Sequence, residues 1–325
     1  MRKTHLKKAE EVLRIESQVI LDLIARVDDN FHRAVETILQ ISGKAIVLGM
    51  GKSGLVGRKL SATLSSTGTP SFFMHPGEAA HGDLGGISSM DLVILLSNSG
   101  ETGELVKLMP NLKRKHIPII GIFGNNNSTL AENCDIVLDV SVKNEACSLG
   151  IVPTASTIAA SAMGDALAIS LLDKRGFQEK DFAEFHPGGS LGKRLLTTVA
   201  DLMHKDNLIP LINQDKGMKD VVVHMTQKGL GVVGLTDKDE NLVGVITDGD
   251  LRRGIVHVET FLGMQVATIM SKNPKWITKD RLAIDALKIM EKFSITSLFV
   301  YNDDKQGKPV GIIHIHDILK YGIMK

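Results

Sequence analysis

The sequence is poor in cysteine, in net charge and in long apolar runs, and each shortage closes off a class of function. Its two cysteines, Cys134 and Cys147, sit in no metal-type spacing. A reduced, cytoplasmic setting is the default expectation. The charges nearly cancel, 38 Lys and Arg against 37 Asp and Glu, for a formal net charge of +1. That balance argues against nucleic acid or a charged membrane as the main partner. No stretch approaches the ~18 consecutive apolar residues of a membrane span. The opening MRKTHLKKAEEVLRIESQ is charged throughout and lacks the apolar centre of an export signal. What remains is a 325-residue chain, 43% hydrophobic, with room for two or three domains, each with its own core.

Periodicity divides the chain. Leu6, Ala9, Val12 and Leu13, then Phe31, Ala34, Val35 and Ile38, have the spacing of two amphipathic helices broken near Val27-Asp28-Asp29-Asn30. Short apolar runs follow at Ala45–Leu48, Ser71–Met74, Leu92–Leu96, Pro118–Ile122 and Ile136–Val140. Helical stretches separate the early runs. Right-handed crossovers then predict an α/β fold, a doubly wound, parallel five-stranded sheet with helices on both faces. A long helix is predicted over 156–173, and FHPGGSLGKRLL (185–196) closes the layer. Residues 1–41 are read as helices packing on a sheet domain of 42–200.

The remainder is an internal repeat. Sixty-seven residues separate Met203 from Met270, Gly244 from Gly311 and Asp250 from Asp317. LVGVITDGDLRRG parallels PVGIIHIHDILKYG. Each copy, 201–262 and 263–325, reads helix, strand, strand, helix. Two such α+β units would pack face to face to bury what one cannot.

AIVLGMGKSG (45–54) runs from a strand into a glycine-rich turn and a helix start. A nucleotide P-loop needs a glycine where Ile46 stands. A dinucleotide site needs an acidic residue ending the second strand, where the chain has Met74-His75-Pro76, with Glu78 beyond a Pro-Gly turn. A second loop, SNSGETGE (97–104), surrounds Gly100 with Ser97, Asn98, Ser99 and Thr102. Two glycine- and hydroxyl-bearing loops at the carboxyl ends of neighbouring strands suit one phosphate plus a polyol. The alternative is that these hydroxyls only cap helices.

Reactive side chains fall on the same edge: His75, Glu78 and His81 after the second strand, Glu104 after the third, Glu145 after the last. Glu, His and Lys around a polar crevice fit proton transfer beside a carbonyl. Each also has a plainer reading. Lys52 could be a solvated lysine, Glu104 a complement to the helix dipole, and His75 a strand-end histidine or weak metal ligand. Glu145 has no capping role visible in the sequence. His186 reads as a loop residue.

GMGKSG, SSTGTPSFFMHPGEAAHGDLG, SNSGET, EACSLGIVPTAST, MGDALA and FHPGGSLG together resemble the arabinose-5-phosphate isomerase family, a sugar isomerase (SIS) domain followed by two CBS repeats. The resemblance covers nearly the whole chain. It implies interconversion of D-ribulose 5-phosphate and D-arabinose 5-phosphate through an enediol(ate), on the way to 3-deoxy-D-manno-octulosonate, and no cofactor. It implies catalytic roles for Lys52, Glu104, Glu145 and His186. It implies substrate contacts from Ser53, Gly68, Thr69, His75, His81, Ser97, Asn98, Ser99 and Thr102, with inhibitory zinc at His75. A homotetramer is implied, with His186 acting across a subunit boundary. Thr247, Asp250 and Asp317 match residues that hold a nucleotide or sugar nucleotide in CBS pairs, although His314 replaces the second threonine. Two other functions compete: a non-catalytic sugar-phosphate sensor with a nucleotide-responsive CBS pair, and an NAD enzyme, disfavoured at Met74-His75.

Overall fold

A computed structural model describes residues 2–257, 261–303 and 307–324, so each repeat span contains residues outside the description. The chain forms two compact units, Met1–Phe182 and Ala183–Lys325.

The first unit runs α1 (Arg2–Ile24), α2 (Asp29–Gln40), β1 (Ala45–Gly49), α3 (Gly51–Ser66), β2 (Ser71–Met74), α4 (Pro76–Ala80), β3 (Leu92–Ser97), α5 (Gly103–Arg114), β4 (Ile119–Phe123), α6 (Thr129–Glu132), β5 (Ile136–Asp139) and α7 (Ala155–Lys174). The break between the first two helices falls where Asp28 caps α2, its carboxylate accepting from the Asn30 and Phe31 N–H groups. All five strands are parallel, in the order β2-β1-β3-β4-β5. That order reverses direction between β1 and β3, and a crevice opens there at the carboxyl ends of the strands. Both faces of the sheet are covered, so its strands are continuous apolar runs. Val47, Leu92, Ile94 and Leu96 pack with α1, α2, α3 and α7; Ile46, Leu48, Val93 and Leu95 pack with α5 and α6. Each fully buried aliphatic side chain contributes ~1.5–3 kcal/mol relative to exposure.

Two polar details matter for stability and exposure. Asp91, at the amino end of β3, is buried and accepts from the Lys44 N–H (2.8 Å), the Ser88 N–H (2.7 Å) and Lys44 Nζ (3.1 Å), which clips the starts of β1 and β3 together. By length and composition α7 is apolar enough to cross a membrane, although Ser161 and Asp165 interrupt its apolar run. Here it is the central helix of one core, with Ala155, Ala159, Met163, Leu167 and Leu171 buried.

The second unit begins inside α8 (Glu179–Phe185) and continues with α9 (Ser190–Leu196), α10 (Val199–Leu202), β6 (Leu211–Asn213), α11 (Met218–Lys228), β7 (Val232–Thr236), β8 (Leu242–Thr247), α12 (Asp248–His257), β9 (Ser271–Lys272), β10 (Trp276–Thr278), α13 (Ala283–Phe293), β11 (Ser297–Tyr301), β12 (Gly311–His314) and α14 (Ile315–Tyr321). The segment 183–200 belongs with the repeats rather than with the sheet domain, where the sequence reading placed it. The reason is backbone pairing: Val199 N–H donates to Arg281 O at 2.8 Å and Ala283 N–H to Thr197 O at 2.9 Å. The sheets are β6-β7-β8-β9 and β10-β11-β12. Each repeat thus opens on a three-residue strand, β6 or β10, too short to show alternation in sequence. Ile209, Val232 and Leu242 of one repeat share a core with Phe299, Tyr301 and Ile312 of the other.

Candidate functional site

β1 ends at Gly49, and the chain turns through Met50 and Gly51 into α3. A Cβ on Gly54 would lie 2.6 Å from the Gly49 carbonyl oxygen, so this helix start can approach the strand end only without a side chain there. No side chain caps α3 at Met50 or α5 at Thr102. The first-turn N–H groups of both helices therefore remain for an anion.

The loop after β3 is shaped by its own hydroxyls. Ser97 and Thr102 share a 2.8 Å hydrogen bond, Ser97 Oγ accepts from the Gly100 N–H at 3.0 Å, and Ser99 Oγ accepts from the Glu101 N–H at 3.1 Å. Gly100 is left-handed (φ 67°), and a Cβ there would collide with Ser128 Oγ. The capping alternative thus fails for α3 and α5, whose hydroxyl-bearing neighbours are not spent on the helix ends.

Glu145 stands on the connection from β5 to α7. Its Oε2 accepts from the Thr154 N–H (2.8 Å), the Thr154 hydroxyl (3.1 Å) and the Ser156 N–H (3.3 Å), and its Oε1 accepts from the Ser156 hydroxyl. Glu145 therefore does cap a helix, the start of α7, a role the sequence reading missed because the donors follow nine to eleven residues later. Burial pushes its carboxyl up, but the bonds from Ser156 and Thr154 outweigh burial and hold it below the usual glutamate range.

These three helix starts enclose a cavity of about 430 Å³. Lys52, Ser53, Ser97, Asn98, Ser99, Thr102, Glu145 and Ser156 line it, with Val56, Ile122, Val140 and Ile151 as apolar wall. Lys52 and Glu145 are the charged side chains among the lining residues. Ser156 and Thr157 were not foreseen, although the hydroxyl run Thr154–Thr157 ahead of an apolar helix is a legible helix-start signal.

A second cavity, of about 810 Å³, lies between the two repeats. Thr247 and Asp250 line it, as does His314 at the position where the second repeat departs from threonine. Asp250 Oδ2 accepts from the Thr247 N–H (2.9 Å) and hydroxyl (2.7 Å), while Oδ1 takes Arg253 at 2.6 Å. Lys272, Lys275 and Arg252 give it a cationic rim.

The SIS domain family matches residues 38–170, and the CBS domain family matches 199–257 and 266–323. The arabinose 5-phosphate isomerase KdsD of Salmonella typhi is 44% identical over 97% of this chain and 95% of its own length. That of Pseudomonas aeruginosa is 44% identical over 98% and 97%. This chain belongs to the arabinose 5-phosphate isomerase family. A solved structure, c3406 of E. coli CFT073 in complex with arabinose 5-phosphate, is 37% identical with a TM-score of 0.56, covering 57% of this chain and 100% of that one.

The residues that resemblance to the arabinose 5-phosphate isomerases singles out do not all meet in the cleft. Lys52, Ser53, Ser97, Asn98, Ser99, Thr102 and Glu145 do. Gly68 and Thr69 do not: they precede β2, at the amino edge of a parallel sheet whose crevice is at the carboxyl edge. Thr69 is fully buried and its hydroxyl accepts from Arg175 Nε at 3.2 Å, a structural bond. Glu104 is exposed in the first turn of α5 and is not among the lining residues. His75 caps α4, its Nδ1 accepting from the Gly77 N–H at 3.2 Å, and His81 is exposed at the other end of that helix. No group of three His, Cys, Asp or Glu able to hold a metal occurs among the described residues, and the occupied Nδ1 of His75 fits zinc poorly. His186 follows α8 in the second unit, its carbonyl accepting from the Gly189 N–H at 3.0 Å. Asp317 does not line the second cavity; it bonds His204 Nε2 at 2.8 Å.

Proposed function

We propose that the chain interconverts D-ribulose 5-phosphate and D-arabinose 5-phosphate. The observation that carries this reading is the one cavity lined by Lys52, two hydroxyl-bearing loops and an ionised, tightly held Glu145. The uncapped starts of α3 and α5, with Ser53, Ser97, Ser99 and Thr102, bind the phosphate. Isomerisation removes a proton from the carbon beside the open-chain carbonyl and returns it to the neighbouring carbon, with an enediolate between. No electrons leave the substrate, so no redox cofactor takes part. Glu145 lines the cavity and is ionised at neutral pH, as a base must be, and takes the carbon-bound proton. His186, acting across a subunit boundary, serves ring opening and the oxygen-bound protons, Lys52 steadies the negative charge on the enediolate, and Glu104 tunes a neighbour. The product feeds synthesis of 3-deoxy-D-manno-octulosonate in the cytoplasm, the enzyme works as a homotetramer, and the repeats take a nucleotide or sugar nucleotide.

Purified, chelator-treated protein given ribulose 5-phosphate should form arabinose 5-phosphate. Failure to form it overturns the function. Activity that vanishes with chelator and returns only with metal overturns the cofactor-free mechanism.

A further inference from the structure

Four donors converge on Glu145, more than a helix start needs from one side chain. They come from two residues. Ser156 is 5% exposed and lines the cavity, and its hydroxyl donates to the carboxylate. The Thr154 hydroxyl also accepts from the Ala146 N–H at 3.0 Å, which ties both ends of the connection to one atom. Between them Leu149, Ile151 and Val152 are exposed, so the connection has little packing of its own. Fixation of the carboxylate therefore comes from the start of α7 and not from packing of its own loop.

We infer that Ser156 and Thr154 are positioning residues that hold the Glu145 carboxylate in one orientation at the edge of the cavity. The inference rests on the reading of Glu145 as the base. A base must meet the carbon-bound proton within hydrogen-bond reach, and misplacement by an ångström costs up to ~10²-fold in rate. All four donors are neutral, so they orient the carboxylate and favour its ionised form without cancelling its charge. Lys52 is the other charged side chain lining the cavity. The strand and α7 residues that face it, Ile122, Val140, Thr157 and Ala160, carry no charge.

The test is Ser156→Ala in the full chain, a change that suits a helix and adds no bulk. Turnover should fall about tenfold or more, with KM moving by less than about threefold, because orientation and not binding is lost. The acid limb of the kcat profile should move to higher pH, since a lost donor disfavours the ionised carboxylate. Ser156→Thr, which restores the hydroxyl, should bring the limb back. A limb and turnover unchanged in Ser156→Ala overturn the inference, whatever the melting temperature does. Glu145→Gln, measured alongside, separates the two claims. Wild-type turnover in that variant ends the reading of Glu145 as base and this inference with it. An inactive Gln variant beside an unaltered Ser156→Ala ends the positioning role alone.

Discussion

The two clefts of this chain grip a carboxylate in the same way but complete the grip differently. Thr154 and Ser156 hold Glu145 in the first; Thr247 holds Asp250 in the second, through both its N–H and its hydroxyl. Both carboxyls sit below their ordinary range although burial pushes each of them up. The difference is the last partner. Asp250 also takes a guanidinium, Arg253, so its charge is matched where it stands. Glu145 has only neutral donors. A carboxylate paired with a guanidinium is a fixed acceptor suited to binding, whereas one held by neutral donors alone keeps more of the basicity that proton abstraction needs.

Removing charge should therefore separate the clefts most strongly. Glu145→Gln is expected to lower turnover by ~10²-fold or more, as for acid–base groups generally, while the fold survives. His186→Ala should do likewise. Asp250→Asn, assayed without added ligand, should change turnover by less than about threefold. Steady-state kinetics on the three variants decide it, and equal losses at Glu145 and Asp250 would erase the contrast.

Gly100→Ala comes next. It drives a Cβ into Ser128 Oγ at a left-handed residue. The loop must move, at a cost of about 2 kcal/mol from strain and displacement, and turnover should drop at least ~10-fold. Urea unfolding and kinetics would show both effects together; a stable, fully active variant would mean the loop after β3 is not rigid.

Charge can also be removed from a carboxylate at the opposite edge of the sheet from the first cleft. Asp91→Ala strips three donors of a buried acceptor and should cost about 2 kcal/mol at neutral pH. Burial pushes the Asp91 carboxyl up, but bonds from Ser88 and Lys44 bring it below the aspartate range. Its stabilisation is thus complete above the unfolded value of ~3.9 and is lost as pH falls through the lower folded value. The variant should accordingly lose less stability on acidification than the wild type. Smallest of all is Arg253→Ala. That guanidinium is 70% exposed, and the change should alter stability by under ~1 kcal/mol in a denaturant titration.

What could be read beforehand follows from distance along the chain. The five strands, α7 and the repeat were legible because their signals are local: apolar runs, period and a constant offset. The hydroxyl loops were legible because each is one short word next to a strand. The grip on Glu145 was not, because a loop intervenes before its donors. Neither was the pairing of Asp317 with His204, 113 residues away. Gly68 and Thr69 misled for another reason: the motif they open runs on to His75 at the carboxyl edge of the sheet, and a four-residue strand, β2, carries the chain across the sheet in between.

The placement of α7 also bears on how the chain is made. Every helix it buries against, α1, α2 and α3, precedes it in the sequence. At about 5–20 residues added per second, those helices and all five strands leave the ribosome before α7 does. The most membrane-like segment among the described residues therefore emerges last among the elements of its layer, onto partners already synthesised. It need spend little time uncovered, when chaperones or a bilayer would compete for it.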